Sequence, residues 1–423
     1  MNRGFAITIS AIFLWMGASA AWAGTLTMSW QTDKEPVAYQ PGETMRFMIQ
    51  LLEDGQPLDG KTLKWRRTGD DGATATGQAA SSATQPVEFT TSTNQPGFVR
   101  IEVEVFNPDD SPMKAANGEA LKFEGGAGAQ PQKLLGTAEP ADFDAFWERQ
   151  KARLAEVPMT TELKEIAEAR PGFKIYDVKV ACAGGRPMTG YLAVPDGATE
   201  KSLAAQVIFH GYGVSGAAIQ TSPGRIVLDV GAHGIENGRE NAYYKSLEEG
   251  DLKAYGFNNQ ENAKPETTYA NGVVLRVMRA LQYIKSRPEW NGRELMVNGP
   301  SQGGFHAIAA AALDPEVTRC EALKPWFCDL GGIKQGRLRG WRPDDAEGLA
   351  YYDTATLGKR IRCETYLLTA LGDYVCPPSG VMVLYNQIKS TNKMIEIKQG
   401  ETHGWDSAPN SRNQTLRPQP AAN

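Results

Sequence analysis

The feature that most constrains this chain is a serine set between glycines, where a strand-like segment meets a helix-like one. Residues 294–298 form an apolar run typical of a strand, and the alanine-rich residues 307–312 have a helical pattern. Between them, Gly299-Pro300-Ser301-Gln302-Gly303 has the Gly-x-Ser-x-Gly spacing of a nucleophile elbow. Glycines are needed because strand and helix cross closely at so sharp a turn. The turn would aim the Gln302 N–H at a developing oxyanion. The alternative is a glycine-rich turn with an inert serine.

The elbow predicts a base and an acid later in the chain, because a serine hydroxyl is a weak nucleophile on its own. The chain has 4 histidines, and only His403 lies beyond the helix directly behind the elbow, after the alternating strand-like residues 394–398. Asp373 follows another strand-like run, residues 365–371. Serine, acid and histidine in this order, each on its own strand end, are typical of the α/β-hydrolase scaffold. We therefore predict Ser301, Asp373 and His403 as the catalytic residues.

The charge balance and the start of the sequence limit partners and location. The net charge is −5 and the lysines and arginines form no cluster, which argues against nucleic-acid binding. A basic start, an apolar run over residues 5–21 and the small-residue site Ala21-Trp22-Ala23 are typical of a signal peptide. We predict that residues 1–23 are removed and that the mature protein is periplasmic or secreted, without membrane contact. The alternative is a membrane anchor.

The remaining sequence divides by its periodicity. Residues 24–125 have period-two patterns separated by turn signals, which predicts a small all-β immunoglobulin-like sandwich. The glycine-rich start of residues 126–139 predicts a linker. From Val207 on, apolar strands alternate with helices, which predicts a mostly parallel sheet with helices on both faces for the α/β domain at residues 140–408. Within it, the polar residues 234–268 are expected to pass over the active-site edge, and residues 409–423 to be disordered.

Four segments together resemble the acetyl xylan esterase / cephalosporin-C deacetylase family of α/β-hydrolases, also known as carbohydrate esterase family seven. They are His210-Gly211-Tyr212-Gly213, Gly299-Pro300-Ser301-Gln302-Gly303-Gly304, Gly372-Asp373-Tyr374-Val375-Cys376-Pro377-Pro378-Ser379 and Thr402-His403-Gly404. The similarity covers the predicted hydrolase domain and leaves the sandwich out. The resemblance implies removal of acetyl groups from sugars by Ser301, His403 and Asp373. It also implies an oxyanion hole formed by the backbone N–H groups of Tyr212 and Gln302.

Two departures from the family pattern concern the substrate range. His233 ends Gly231-Ala232-His233, where the family usually has Arg-Gly-Gln, and Gly404 stands where a glutamate usually follows the catalytic histidine. His233 is therefore a candidate substrate contact. Trp326 and Phe327, with Trp341 further on, follow the strand after the elbow and could form the wall of a sugar site. Buried packing is the alternative for these aromatic residues.

The function expected from these residues is an exported serine esterase that acts on acetylated oligo- or polysaccharides. A double displacement of this kind requires no cofactor or metal. Hydrolysis of another carbohydrate ester (feruloyl, methyl or glucuronoyl) and an inactive sugar-binding protein remain as alternatives. The sandwich carries no cluster of potential ligands, which favours a packing domain over a carbohydrate-binding module. We expect its removal to leave hydrolysis of a small acetyl ester largely unchanged.

The five cysteines permit disulfides in an exported protein but leave at least one thiol unpaired. Cys363 and Cys376 lie at opposite ends of one strand, ~20 Å apart at ~3.3 Å per residue. Disulfide formation requires Cα atoms within roughly 7 Å. Cys328 and Cys376 follow the carboxyl ends of strands expected to be neighbours. If a bridge forms, we expect it between these two.

Overall fold

The structure, a computed structural model, describes residues 24–115, 117–167, 170–404 and 413–417. The predicted signal peptide lies outside the described residues. A sandwich of two antiparallel sheets precedes a large mixed sheet that is packed with helices. None of the helices in the described part is both long and apolar enough to cross a membrane.

In the described part of the chain, the N-terminal sandwich has eight short strands. They are β1 (Leu26–Thr32), β2 (Met45–Glu53), β3 (Gln56–Pro57), β4 (Thr62–Gly69), β5 (Ala75–Ala80), β6 (Val87–Thr91), β7 (Gly97–Phe106) and β8 (Lys122–Ala129). One sheet has the order β1-β2-β3 with β6 also paired to β2, and the other has the order β5-β4-β7-β8. Alternate residues of β2 and β7, such as Phe47, Ile49, Ile101 and Val103, fill the core between the sheets. The predicted sandwich is therefore confirmed.

The glycine-rich segment predicted to begin a linker is strand β8, which pairs with β7 along its length. That prediction is wrong, because the glycines here permit close packing instead of flexibility. A Cβ on Gly126 would overlap the backbone oxygen of Val99 and lie 3.1 Å from the backbone oxygen of Leu371 in the following domain. The sandwich thus extends to Ala129 and packs directly against the hydrolase sheet.

The large sheet has ten strands among the residues that the structure describes, and its central part is parallel. The strands are β9 (Thr161–Glu165), β10 (Phe173–Val180), β11 (Met188–Pro195), β12 (Leu203–Phe209), β13 (Arg225–Gly231), β14 (Trp290–Pro300), β15 (Arg319–Leu323), β16 (Glu364–Ala370), β17 (Lys393–Lys398) and β18 (Asn413–Leu416). Their order is β18-β17-β16-β15-β14-β12-β13-β11-β10-β9. Strands β12 to β17 pair in parallel, whereas β9 to β11 and β18 join antiparallel.

Within the described residues, six α-helices accompany this sheet. They are α1 (Phe143–Ala155), α2 (Asn241–Glu249), α3 (Tyr269–Lys285), α4 (Gln302–Leu313), α5 (Thr354–Gly358) and α6 (Pro378–Gln387). Helix α1 contacts α3, α3 contacts α4, α4 contacts α5 and α5 contacts α6. Residues of these helices pack against alternate residues of the strands, such as Val207, Val297 and Ile395, to form the main core. A smaller cluster of Ile175, Ala193 and Val227 is buried separately. The predicted α/β architecture is confirmed.

The predicted disordered tail begins at residue 409, but residues 413–416 form strand β18. This strand pairs antiparallel with β17, with Ile397 opposite Gln414. The tail prediction is therefore wrong for these four residues, because the backbone of β17 offers them a partner. Apart from residues 413–417, the tail lies outside the described residues.

The parallel strands place the predicted site residues at one edge of the sheet. Carboxyl ends of parallel strands meet at the same edge, where open α/β sheets bind ligands. Strand β12 ends before residues 210–213, β14 before Ser301, β16 before Asp373 and β17 before His403. Residues separated by up to two hundred positions in the sequence are thereby brought together.

Candidate active site

Ser301 occupies a sharp turn between β14 and α4. Its backbone has φ 53° and ψ −117°, a conformation that residues other than glycine rarely adopt. A Cβ on Gly299 or on Gly303 would overlap the carbonyl oxygen of Phe209 in the neighbouring strand. Only glycine therefore permits strand and helix to approach closely enough to form this elbow. The Ser301 hydroxyl stands at its tip.

The three residues predicted to be catalytic form one chain of hydrogen bonds. His403 Nε2 lies 3.0 Å from Ser301 Oγ, and His403 Nδ1 lies 2.9 Å from Asp373 Oδ2. A carboxylate can only accept, so Nδ1 carries the proton and Nε2 is free to accept the serine hydroxyl proton. This arrangement has the geometry needed for nucleophilic catalysis.

Asp373 is held rigidly by its own loop. Its Oδ1 accepts hydrogen bonds from the backbone N–H groups of Val375 and Cys376, both at 2.8 Å. The side chain is only 1% exposed. With Oδ1 fixed in this way, Oδ2 can point only towards His403. Burial raises the pKa of the nearby Cys376 thiol well above its usual range, so the thiol adds no charge beside Asp373.

The loop after β12, residues 210–213, is fixed by its own half-buried His210 and by the fully buried His233. His210 Nδ1 donates to the carbonyl oxygen of Gly211 at 2.8 Å, while its Nε2 accepts from the Ala232 N–H at 3.2 Å. His233 Nε2 donates to the carbonyl oxygen of Gly213 at 2.9 Å. Both imidazoles are therefore neutral, and burial lowers the pKa of each.

The predicted substrate contact at His233 is contradicted by its position. Its side chain is fully buried, and its Nδ1 accepts from the Tyr269 hydroxyl at 2.7 Å. With both ring nitrogens bonded within the protein, no donor or acceptor remains for a sugar. Burial lowers its pKa to about 3. His233 instead supports the loop that carries Tyr212.

Tyr255, which the sequence reasoning missed, connects this loop to the elbow. Its hydroxyl accepts from the Gly213 N–H at 2.9 Å and donates to Gln302 Oε1 at 2.8 Å. Its ring stacks on Tyr212 with centroids 4.2 Å apart and planes 11° from parallel. Tyr255 belongs to the polar segment expected near the active-site edge, where the lack of periodicity gave no signal for a single residue. It links the two residues whose N–H groups were predicted to form the oxyanion hole.

An aromatic cluster lies beside the same loop, but its members differ in exposure from what we predicted. Trp326 and Phe327 are only 3% and 2% exposed, so the expected sugar contacts at these positions are wrong. Phe327 packs on Phe305 of helix α4 at 5.0 Å. Trp326 supports Trp341 by a stacked ring at 5.5 Å and by an Nε1–H bond to its carbonyl oxygen at 2.6 Å. Trp341 is 41% exposed and is the surface member of the cluster.

All five cysteines lie within the described residues, and each is a free thiol. The expected pairing of Cys328 with Cys376 is therefore not formed. The Cys328 thiol instead lies 2.9 Å from Thr354 Oγ1 and 3.2 Å from the Pro325 carbonyl oxygen. Burial raises the pKa of both thiols.

Comparison with known proteins gives consistent matches over the hydrolase domain. An acetyl esterase, Axe7A, from Xylanibacter ruminicola is 25% identical over 276 residues, which are 61% of this chain and 62% of that protein. The solved acetyl xylan esterase of Paenibacillus sp. R4 is 24% identical, with a TM-score of 0.53 over 65% of this chain and 94% of that chain. Acetyl xylan esterase 1 from Thermoanaerobacterium sp. JW/SL YS485 is 23% identical, with a TM-score of 0.52 over 65% and 92%.

These structural likenesses support the α/β-hydrolase fold, and a family model identifies the sequence. The model for acetyl xylan esterase (AXE1) matches residues 135–337 and 344–415, which is more than half of the chain. The sandwich strands lie before the matched residues. The resemblance drawn from the four motifs is thereby confirmed. The chain belongs to the acetyl xylan esterase family, whose members are carboxylic ester hydrolases.

Proposed function

We propose that this protein is an exported serine esterase that removes O-acetyl groups from carbohydrates. The observation that carries the proposal is the hydrogen-bonded set of Ser301, His403 and Asp373 at a strained elbow. Membership of the acetyl xylan esterase family supports an ester of this class as the substrate. The Xylanibacter relative is an acetyl esterase by name, which agrees with the proposal.

In the first half of the proposed reaction, Ser301 attacks the acetyl carbonyl carbon. His403 Nε2 takes the hydroxyl proton as the Oγ–C bond forms, and the imidazole becomes positively charged. Asp373 Oδ2 stabilises that charge and holds the ring in the productive tautomer. The proton then passes to the sugar oxygen as the C–O bond of the ester breaks. The deacetylated sugar leaves, and an acetyl group remains on Ser301.

The negative charge on the carbonyl oxygen is expected to lie against the backbone N–H groups of Gln302 and Tyr212. Gln302 is the first residue of α4, and the first N–H groups of a helix have no partner within it. The helix dipole adds favourable potential at this end. Removing one such donor costs about 3 kcal/mol of transition-state stabilisation in a comparable serine hydrolase.

In the second half, water replaces the sugar. His403 takes a proton from the water as its oxygen attacks the acetyl carbonyl, and then gives that proton to Ser301 Oγ as the bond between Oγ and the acetyl carbon breaks. Acetic acid is released, ionises to acetate in solution, and the free enzyme is restored. The protein's own side chains supply every proton transfer in this sequence.

The exposed ring of Trp341 supports a carbohydrate as the alcohol part of the ester. It lies 4.6 Å from the Tyr212 ring and perpendicular to it, next to the proposed oxyanion hole. Flat aromatic faces offer sugar rings a large apolar contact while the sugar hydroxyls remain solvated. The proposed partner is therefore an acetylated oligo- or polysaccharide.

Export is part of the proposal, because the N-terminal sequence has a signal-peptide pattern. The mature chain is expected to begin at Gly24, in a periplasmic or secreted location. N-terminal sequencing of protein recovered from the producing cell checks this. A chain that retains Met1 would contradict it.

The substrate proposal is tested by comparing the products released from matched carbohydrate esters. Acetylated, feruloylated and methyl- or glucuronoyl-esterified oligosaccharides are incubated with the protein, and acetate, ferulate, methanol and free glucuronate are measured. We expect release of acetate at the highest kcat/KM and none from Ser301→Ala. Faster release of another product would assign a different carbohydrate ester. No release from any of them would indicate a sugar-binding protein without activity.

A further inference from the structure

The N-terminal sandwich contacts the two loops that carry Asp373 and His403. One of these contacts is made by Gln399, which follows β17 and is only 3% exposed. Its Nε2 donates to the carbonyl oxygen of Gly126 at 2.6 Å, and its Oε1 accepts from the Gly126 N–H at 2.9 Å. One side chain of the hydrolase domain thus satisfies both backbone groups of a residue in β8. Buried backbone groups left without partners are costly, so this contact fixes the spacing of the two domains here.

Two glycines of the catalytic loops also lie so close to the sandwich that no larger residue would fit in their place. A Cβ on Gly372, directly before Asp373, would overlap the backbone oxygen of Glu124 in β8. A Cβ on Gly400 would meet the ring of Trp30 in β1. The Gly372 N–H donates to the carbonyl oxygen of Glu401 at 3.1 Å, which joins the acid loop to the histidine loop.

The histidine loop is also held from the hydrolase side. Lys324 Nζ donates to the carbonyl oxygen of Thr402 at 2.6 Å and pairs with Glu401 at 2.5 Å. His403 follows directly. The loop therefore lies between two fixed surfaces, with Lys324 at the end of β15 and the sandwich strand β8 as its supports.

We infer that Gln399 is a positioning residue for the proposed reaction and that the sandwich forms the outer wall of the catalytic loops. This inference rests on the proposed function. Gln399 lies four residues before His403, and its bonds to Gly126 fix the path of the chain into the histidine loop. Without them, His403 loses its set distance from Ser301 and Asp373. From the sequence alone, we expected that removing the sandwich would leave hydrolysis of a small ester largely unchanged. These contacts indicate instead that kcat depends on the sandwich.

The kinetic signature follows from what Gln399 does not contact. Gln399 bonds to Gly126 and not to the predicted oxyanion donors or the exposed Trp341, so the affinity for the ester should be nearly unchanged. A displacement of reacting groups by about 1 Å can reduce the rate about 100-fold. We expect Gln399→Ala to lower kcat for a small acetyl ester by about 10- to 100-fold, with KM within about twofold of wild type.

Asn386→Ala is the matched control. Asn386 on helix α6 also donates two hydrogen bonds across to the chain that follows the sandwich, at 3.1 Å to the Pro131 carbonyl oxygen and 3.0 Å to that of Leu134. It is not part of the acid or histidine loop. A general loss of stability would lower kcat in both variants, whereas a positioning role lowers it in Gln399→Ala alone. Equal kcat values for the two variants overturn the inference.

A second pair keeps the test valid if Gln399→Ala does not fold. Trp30→Leu and Trp65→Leu each remove an indole that packs against the same sandwich core. Trp30 faces Gly400, whereas Trp65 packs near Phe89 within the sandwich, at 5.8 Å between ring centroids. We expect only Trp30→Leu to lower kcat, and equal effects of the two overturn the inference. Wild-type turnover of the acetyl ester, measured alongside, reports separately on the proposed function.

Discussion

The substitution Tyr255→Phe tests whether the Tyr255 hydroxyl positions the proposed oxyanion hole, because it removes a single oxygen atom. It removes one hydroxyl, which accepts from the Gly213 N–H at 2.9 Å and donates to Gln302 Oε1 at 2.8 Å. The ring remains, and so does its stacking on Tyr212 at 4.2 Å. Any effect on catalysis therefore reports on the two hydrogen bonds and not on packing.

The size of the effect follows from the position of the hydroxyl. Loss of a donor that touches the oxyanion lowers kcat by about 100- to 1,000-fold in a comparable enzyme. Tyr255 holds the donors' loops and does not donate to the oxyanion, so a smaller loss of about 10-fold, or about 1.4 kcal/mol, is expected. Two buried polar groups also lose their partner, which should lower the free energy of unfolding by about 1–3 kcal/mol.

The assay measures kcat and KM on a small acetyl ester and the inhibition constant of a boronate that mimics the tetrahedral intermediate. We expect kcat to fall, KM to change little and the boronate to bind more weakly. Tyr385→Phe is the control, because it removes a hydroxyl that donates to the Leu416 carbonyl oxygen at 3.3 Å and contacts neither Gly213 nor Gln302. If Tyr255→Phe matches this control in kcat and in boronate binding, the loop is held without Tyr255 and the reasoning is refuted.

Three further predictions concern Asp373, His233 and the thiols. In Asp373→Asn the Oδ1 position still accepts from the Val375 and Cys376 N–H groups, so an NH₂ group faces His403 and forces the wrong tautomer. We expect kcat to fall by about 10⁴. Near-normal turnover would mean that another residue is the acid. Burial lowers the pKa of His233 to about 3 from 6.5, so between these pH values the unfolded chain binds the extra proton. The free energy of unfolding of wild type relative to His233→Gln should therefore decrease as the pH falls through this window, by up to about 1.4 kcal/mol per pH unit. A difference in the free energy of unfolding, measured with urea, that stays constant with pH would contradict this prediction. The denatured, unreduced protein should titrate five thiols, and three would indicate a disulfide.

The sequence predicted which residues would come together where local spacing determines their position. The elbow around Ser301 requires glycines at fixed positions, and those positions are visible in the sequence. His403 and Asp373 followed from chain order and from the small number of histidines. The parallel sheet then brought all three together, because each lies directly after the carboxyl end of a strand.

The predictions failed where tertiary packing decides the role of a residue. Gly126 belongs to a glycine-rich run that is equally typical of a linker and of a strand in close contact with another domain. Trp326, Phe327 and His233 carry side chains suited to sugar contact, but their burial depends on distant segments. Tyr255 lies in a polar stretch without periodicity, so its bonds to Gly213 and Gln302 could not be read from spacing.

The central claim is that Ser301 is the nucleophile, activated by His403 and Asp373. Its most direct test is reaction with an organophosphate, followed by peptide mapping of the modified protein by mass spectrometry. We predict one adduct per chain, on Ser301, with esterase activity lost in proportion to labelling and greatly slowed labelling in His403→Ala. Complete loss of activity with the adduct on another residue, or full activity after Ser301 is labelled, would contradict the account.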